Sequence, residues 1–307
     1  MKVIIFPGQG SQKSGMASEF HSNFRVVKDI FERIDEALKF NLSKVILNGS
    51  DEELKKTEIT QPAILATSFA IYSVLKQEFN FDLSKIKYTA GHSLGEYSAL
   101  VASGSLSLED GVKLVHERGK LMQAAVPEGE GAMLAVMGLD ITELNSLIKK
   151  FDTEKGVCEI ANDNCPGQII LSGNKEKLIA FSNNLKVEKK RSIFLPVSAP
   201  FHCSLMKPAA ENMKMLLQKT NFKDFSLQLI SNVTALPVEK VGDIKELLYK
   251  QIFSQVRWRE TIEFMIKNNI NDFIEIGPGK VLSGLVKRTN DKILSRSLVK
   301  IDDIKNL

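Results

Sequence analysis

Five consecutive residues, Gly91-His92-Ser93-Leu94-Gly95, fit the pattern G-x-S-x-G. A serine between two glycines acts as a nucleophile when a strand runs into the turn and a helix leaves it. The tight backbone then exposes the hydroxyl, and the helix N-terminus favours developing negative charge. Alone, the five residues fit a structural turn equally well. Their surroundings favour the nucleophile, because residues 88–90 read as a short strand and a helical pattern runs from 96 to about 101.

A serine hydroxyl needs a base, and the chain has 4 histidines. His21 lies in a polar stretch and reads as solvated. His116 sits between Val115 and Glu117 in a helical pattern, where a surface or helix-packing role fits best. His92 adjoins the serine, so its ring points away and supports the turn. His202 remains by elimination as the base, the alternative being a buried structural histidine. It follows a strand expected over 193–197, through Ser198-Ala199-Pro200-Phe201, which puts it at the C-terminal edge of a sheet where catalytic residues collect.

The 41 basic residues divide into 33 Lys and 8 Arg, and Arg118 is the one arginine between Arg33 and Arg191. In a chain that uses lysine for routine charge, a solitary arginine poses a question that composition cannot answer. The net charge of +4 over 307 residues is too small to argue for nucleic acid, while an acidic partner remains compatible. With 43% hydrophobic and 25% charged residues the chain is ordinary globular protein, which excludes disorder, collagen and coiled coil as descriptions of the whole. No run reaches the ~18 apolar residues of a membrane span. Cys158, Cys165 and Cys203 form no CxxC and no zinc pattern, so a cytoplasmic, reduced protein without a metal is expected.

The elements that must position these residues begin with a strand at 3–6, running into the loop Pro7-Gly8-Gln9-Gly10-Ser11-Gln12. A helix is expected over 24–40. Another starts at Thr60-Gln61-Pro62, with Thr60 as cap and the proline in the first turn, and runs through 63–79 as a central helix. A helical pattern over 108–125 carries Arg118. The turn-rich stretch Pro127-Glu128-Gly129-Glu130-Gly131 then marks a break. Beyond it the order is strand 132–137, helix 141–150, strands 157–161 and 168–171, helix 175–185 and strand 193–197, a ferredoxin-like β-α-β-β-α-β unit. Strands at 227–230, 272–276 and 294–298 complete the remainder. The expected fold is thus α/β: a larger α/β-hydrolase-like domain with a parallel sheet, over 1–126 and 198–307, and an inserted ferredoxin-like subdomain over 127–197.

Several collinear stretches resemble the malonyl-CoA:acyl-carrier-protein transacylases of fatty-acid synthesis, from end to end. They are residues 6–12, Thr60-Gln61-Pro62-Ala63, Gly91 to Tyr97, Glu117-Arg118-Gly119, Ala161-Asn162 with Asn164, Pro166-Gly167-Gln168, Val197 to His202, and Glu275-Ile276-Gly277-Pro278-Gly279. The resemblance implies that Ser93 is acylated and His202 is its base. It implies that Gln9 and Leu94 give backbone N–H groups to an oxyanion hole and that Arg118 holds the free carboxylate of malonate. Gln251, seven residues before Trp258, matches a glutamine whose carbonyl orients the histidine. Gln255 departs from the pattern, standing where relatives commonly have proline, which leaves that loop less fixed. Asn162 either lines the cleft between subdomains or caps a turn.

The implied partners are malonyl-CoA and acyl carrier protein, with no nucleic acid and no membrane, acting on a monomer. CoA and phosphopantetheine enter as parts of the substrates, so no cofactor is expected. Three other readings stand beside this one. A thioesterase would use the same turn and finish with water. A non-catalytic assembly surface would not need Ser93 and His202. Another acyl preference is open within the family, although Phe201 before the histidine fits malonyl. Lys189-Lys190-Arg191 read either as a docking patch for an acidic carrier or as a solvated turn.

Overall fold

A computed structural model of the chain describes residues 1–151 and 155–307. Among the described residues, nine strands fall into two sheets. The first holds β1 (Lys2–Phe6), β2 (Ile86–Gly91), β7 (Gln228–Leu229), β8 (Asp272–Ile276) and β9 (Leu294–Leu298). Its order is β7-β2-β1-β8-β9, with every pairing parallel. Parallel strands need crossover connections and so are covered by helices on both faces, which is why β1 reads as a continuous apolar run. Alternate residues feed opposite faces. Ile4 and Phe6 join a large core with the helix Thr57–Gln77, while Val3 and Ile5 pack with Trp258 and Phe273.

The second sheet holds β3 (Gly131–Met137), β4 (Cys158–Cys165), β5 (Gln168–Asn174) and β6 (Arg191–Phe194), ordered β4-β5-β3-β6 and antiparallel throughout. Its two faces serve two cores. Ala132, Leu134, Val136, Ile169 and Leu171 pack with Leu144, Leu178, Phe181 and Leu185 of the sheet's own helices. Met133, Ala135 and Ile170 turn the other way and join the large core. The period-2 alternation of these strands therefore builds one small core and one seam.

That seam is fastened at β4. Asp163 N–H donates to Val256 O at 3.0 Å, and Val256 N–H donates to Ala161 O at 2.8 Å. Asp163, 1% exposed, also takes a two-pronged contact from Arg259 with the shortest distance 2.8 Å. The Gln255 loop, which lacks a proline, is held here by the flanking bridge between Asn162 and Val256.

Several expected boundaries move. The central helix starts at Thr57, so Thr60 is inside it and its hydroxyl turns back to the Leu54 and Lys56 carbonyls instead of capping. Pro62 consequently lies beyond the first turn. Strand β6 ends at Phe194, short of 197, because Pro196 has no N–H to extend the ladder. His202 therefore leaves no strand directly; it lies in the loop between β6 and the 3-10 turn Ser204–Met206. Strand β4 runs on to Cys165 through two irregularities in register, and β7 is only two residues long.

Candidate active site

The serine turn is built by close backbone approach. Strand β2 ends at Gly91 and the helix Gly95–Ala102 follows, with Leu94 as its N-cap residue. A Cβ on Gly91 would stand 1.9 Å from the Gly95 carbonyl, and one on Gly95 would stand 2.3 Å from Phe6 O, so only glycine fits at either place. Ser93 adopts φ +54°, a left-handed backbone that costs a non-glycine residue ~1–3 kcal/mol. Asn232 holds the turn closed. Its Oδ1 accepts from Ser93 N–H at 2.7 Å, while its amide donates to Gly91 O at 2.7 Å.

Ser93 Oγ lies 2.7 Å from His202 Nε2. The other ring nitrogen, Nδ1, lies 2.8 Å from Gln251 O. A carbonyl only accepts, so Nδ1 carries the proton and Nε2 is left to accept from the serine. Gln251 is the last residue of the helix Ile244–Gln251, where carbonyls lack an intrahelical partner. Burial, followed by the nearby Arg118 charge, pushes the His202 pKa down to about 3, so the imidazole is neutral near pH 7. His202 too has a left-handed backbone, φ +61°.

Arg118, 1% exposed, comes from the helix Leu108–Ala124. One terminal nitrogen donates to Ser93 Oγ and to Gln251 Oε1, each at 3.0 Å, and the other donates to Gln61 Oε1 at 2.7 Å. Among the described residues its Nε has no hydrogen-bond partner. Among the described residues no carboxylate lies within ion-pair distance of it, so the guanidinium is buried against neutral acceptors. The nearest carboxylate influence is Glu96, which accepts from Gln251 Nε2 at 2.7 Å and from Asn232 N–H at 3.1 Å. Burial raises the Glu96 pKa to about 7, opposed by these two hydrogen bonds and by Arg118.

These groups open onto a cleft of about 430 Å³ lined by Gln9, Ser93, Arg118, Asn162, Asn164 and His202. Leu94 and Gln251 lie behind its wall. Neither the Gln9 nor the Leu94 N–H is engaged by another described residue. Asn162 thus faces the cleft between the sheets. His92 lines the same cleft, with Nε2 2.9 Å from Asn164 Oδ1 and its ring edge-on to Trp258. Cys203, next to His202, donates to Pro200 O at 3.1 Å, and burial pushes its thiol up to about 11. A larger cavity of about 780 Å³ lies against residues 11–20 and contains none of these site residues. Lys189, Lys190 and Arg191 stay outside the cleft. Among the described residues there is no cluster of His, Cys, Asp or Glu able to hold a metal.

Sequence reasoning missed Asn232 and assigned no role to Gln61 or Glu96. Nothing marks Asn232, since the site needs only its position after β7. Gln61 and Glu96 lie in stretches that carry the resemblance, and the rarity of arginine pointed to Arg118 but not to its partners.

A strained serine on a strand-to-helix turn, paired with a histidine and set in a cleft between two sheets, is suited to acyl chemistry, and the class is acyl transferase: residues 3–305 match the family model described as "Acyl transferase domain". The chain belongs to that family and, within it, among the malonyl CoA-acyl carrier protein transacylases. One such protein from Bacillus subtilis (strain 168) is 46% identical over 95% of this chain and 91% of its own length. A transacylase structure from Clostridium perfringens superposes with TM-score 0.94 at 41% identity, covering 99% of this chain and 95% of that one. A malonyl-transacylase solved in complex with a type II PKS acyl-carrier protein gives TM-score 0.95 at 37% identity, covering 99% and 98%.

Proposed function

We propose that this protein transfers the malonyl group from malonyl-CoA to the phosphopantetheine thiol of acyl carrier protein, in fatty-acid biosynthesis. The observation that carries this reading is Arg118: a buried guanidinium with no carboxylate partner, donating to the nucleophile's own oxygen. Such a cation is suited to an acyl group that brings its own carboxylate.

In the first half-reaction Ser93 Oγ attacks the thioester carbonyl and its proton passes to His202 Nε2. The tetrahedral oxyanion is held by the free N–H groups of Gln9 and Leu94. The C–S bond breaks, and the leaving CoA sulfur takes the proton from His202, leaving a malonyl ester on Ser93. In the second half-reaction the carrier's thiol gives its proton to His202 and attacks the ester, and Ser93 recovers that proton. Gln251 O keeps the imidazole in the required tautomer throughout. The steps use nucleophile, base and oxyanion donors, so no cofactor takes part.

The separate small core of the second sheet and the β4 seam support a division into a catalytic domain, 1–126 and 198–307, and a subdomain, 127–197. The buried thiols and the fatty-acid-synthesis relatives support a cytoplasmic setting. No helix among the described residues is long and apolar enough to cross a membrane. The monomer is part of the same proposal and is checked by light scattering.

Brief exposure to malonyl-CoA followed by peptide mass mapping should place the adduct on Ser93, and Ser93→Ala should abolish it without lowering the melting temperature. An adduct on Ser11 or Cys203 would overturn the assignment. Loss of malonyl-CoA at equal rates with and without carrier protein would instead indicate a thioesterase.

A further inference from the structure

Pro62 lies inside the helix Thr57–Gln77 and has no N–H, so the Glu58 carbonyl four residues earlier loses its helical partner. The structure fills that place from another helix. His116 Nδ1 lies 2.8 Å from Glu58 O, and because a carbonyl only accepts, Nδ1 is the protonated nitrogen. His116 belongs to the helix Leu108–Ala124 and stands two residues before Arg118. One residue after Arg118, Gly119 lets the helices close: a Cβ there would meet Glu58 Cα and Thr57 O at 2.7 Å. A turn further on, Gln123 Oε1 accepts from the Thr57 hydroxyl at 3.0 Å. Arg118 thus projects from a segment docked on both sides of Glu58, and its first partner, Gln61, lies one residue before the proline.

We infer that His116 is a positioning residue for Arg118: by taking the carbonyl that Pro62 strands, it fixes the register of the arginine-bearing helix and so aims the guanidinium at the acyl pocket. This rests on the reading that Arg118 receives the malonyl carboxylate. A guanidinium displaced by a fraction of an ångström loses a two-pronged fit to a carboxylate, whereas an acyl group without one is affected only through the single Arg118 contact to Ser93 Oγ.

The test compares single-turnover acylation of the full-length enzyme by malonyl-CoA and by acetyl-CoA. His116→Leu should lower the malonyl rate about three- to tenfold, the range for one lost neutral hydrogen bond, and the acetyl rate less than about twofold. His116→Asn puts an amide N–H where Nδ1 was and should restore the ratio. Pro62→Ala returns a backbone N–H to Glu58 O, so adding His116→Leu to it should cost less than about twofold. Equal losses for both substrates, no loss, or an undiminished penalty in the Pro62→Ala background would each overturn the inference. If His116→Leu fails to fold, the Pro62→Ala pair and His116→Phe in that background decide it. Should Arg118→Ala leave the malonyl-to-acetyl ratio unchanged, the carboxylate reading fails on its own. The positioning claim is then judged by the Arg118 side-chain NMR signal, which His116→Leu must shift and His116→Asn must restore.

Discussion

In the proposed reaction, substrate choice turns on Arg118. Malonyl differs from acetyl by one carboxylate, which leaves water on entering the cleft and costs several kcal/mol if nothing meets it. Arg118→Ala should lower kcat/KM for malonyl-CoA on the order of 10²–10³-fold, corresponding to ~3–4 kcal/mol, and lower it far less for acetyl-CoA. Arg118→Lys should recover part, since an ammonium cannot reproduce the planar fork. Steady-state rates on both substrates check this, and an equal drop would make the arginine structural. His202→Ala should slow acylation and deacylation alike by ~10²–10⁴-fold, measured in separate half-reactions. Both residues were visible in the sequence for different reasons: the histidine by elimination among four, the arginine because its rarity posed a question that only the family resemblance answered. Asn232 was not visible, because a residue that closes a turn 139 positions away leaves no local pattern.

At the scale of elements, apolar periodicity located most helices and strands, since burial on one face is written directly into residue type. The misplaced ends share a cause. Thr60 and Pro62 make a sound helix start by local chemistry, yet the helix begins earlier, and the carbonyl that Pro62 strands there meets His116, remote in sequence. Strand β4 was read short because its continuation holds Asn162, Asp163 and Asn164, polar residues justified only by the seam and cleft they meet. Removing one side of that seam has a definite expectation. Arg259→Met strands the buried Asp163 carboxylate and should cost ~3 kcal/mol in denaturant unfolding. Arg25→Met breaks an exposed i,i+4 pair with Asp29 and should cost under ~1 kcal/mol. Similar losses for the two would mean that the seam does not depend on the pair.

For the whole molecule, two buried site groups bend the stability curve in opposite directions. Glu96, raised from 4.5 to about 7, binds its proton more readily folded than unfolded, so stability falls as pH rises from about 4.5 to about 7 and stays lowered above that. The shift corresponds to on the order of 3 kcal/mol. His202, lowered from 6.5 to about 3, binds its proton more readily unfolded, so stability falls as pH drops below about 6.5. Between about 4.5 and 6.5 the two slopes offset each other. Glu96→Gln keeps an oxygen for Asn232 and Gln251 while removing the charge. It should raise stability at pH 8 by ~1–3 kcal/mol and steepen the loss between pH 6.5 and 4.5. Urea titrations at pH 8, 6.5 and 5 check this; a variant no more stable at pH 8 would show that the Glu96 charge carries no burial penalty.

All three cysteines are buried, and burial pushes the thiol of Cys203, beside His202, up to about 11. At pH 8 that thiol is protonated, and only the thiolate is a strong sulfur nucleophile. Each catalytic cycle leaves an energy-rich ester within reach of any sulfur nucleophile, and an internal thiolate would intercept it and keep it. Held protonated on the Pro200 carbonyl, Cys203 makes no such theft, so the acyl group has a single exit, through the visiting thiol of its acceptor. Enzyme pretreated with iodoacetamide and freed of the reagent before substrate is added should accordingly keep its turnover, with peptide mapping finding Cys203 unmodified.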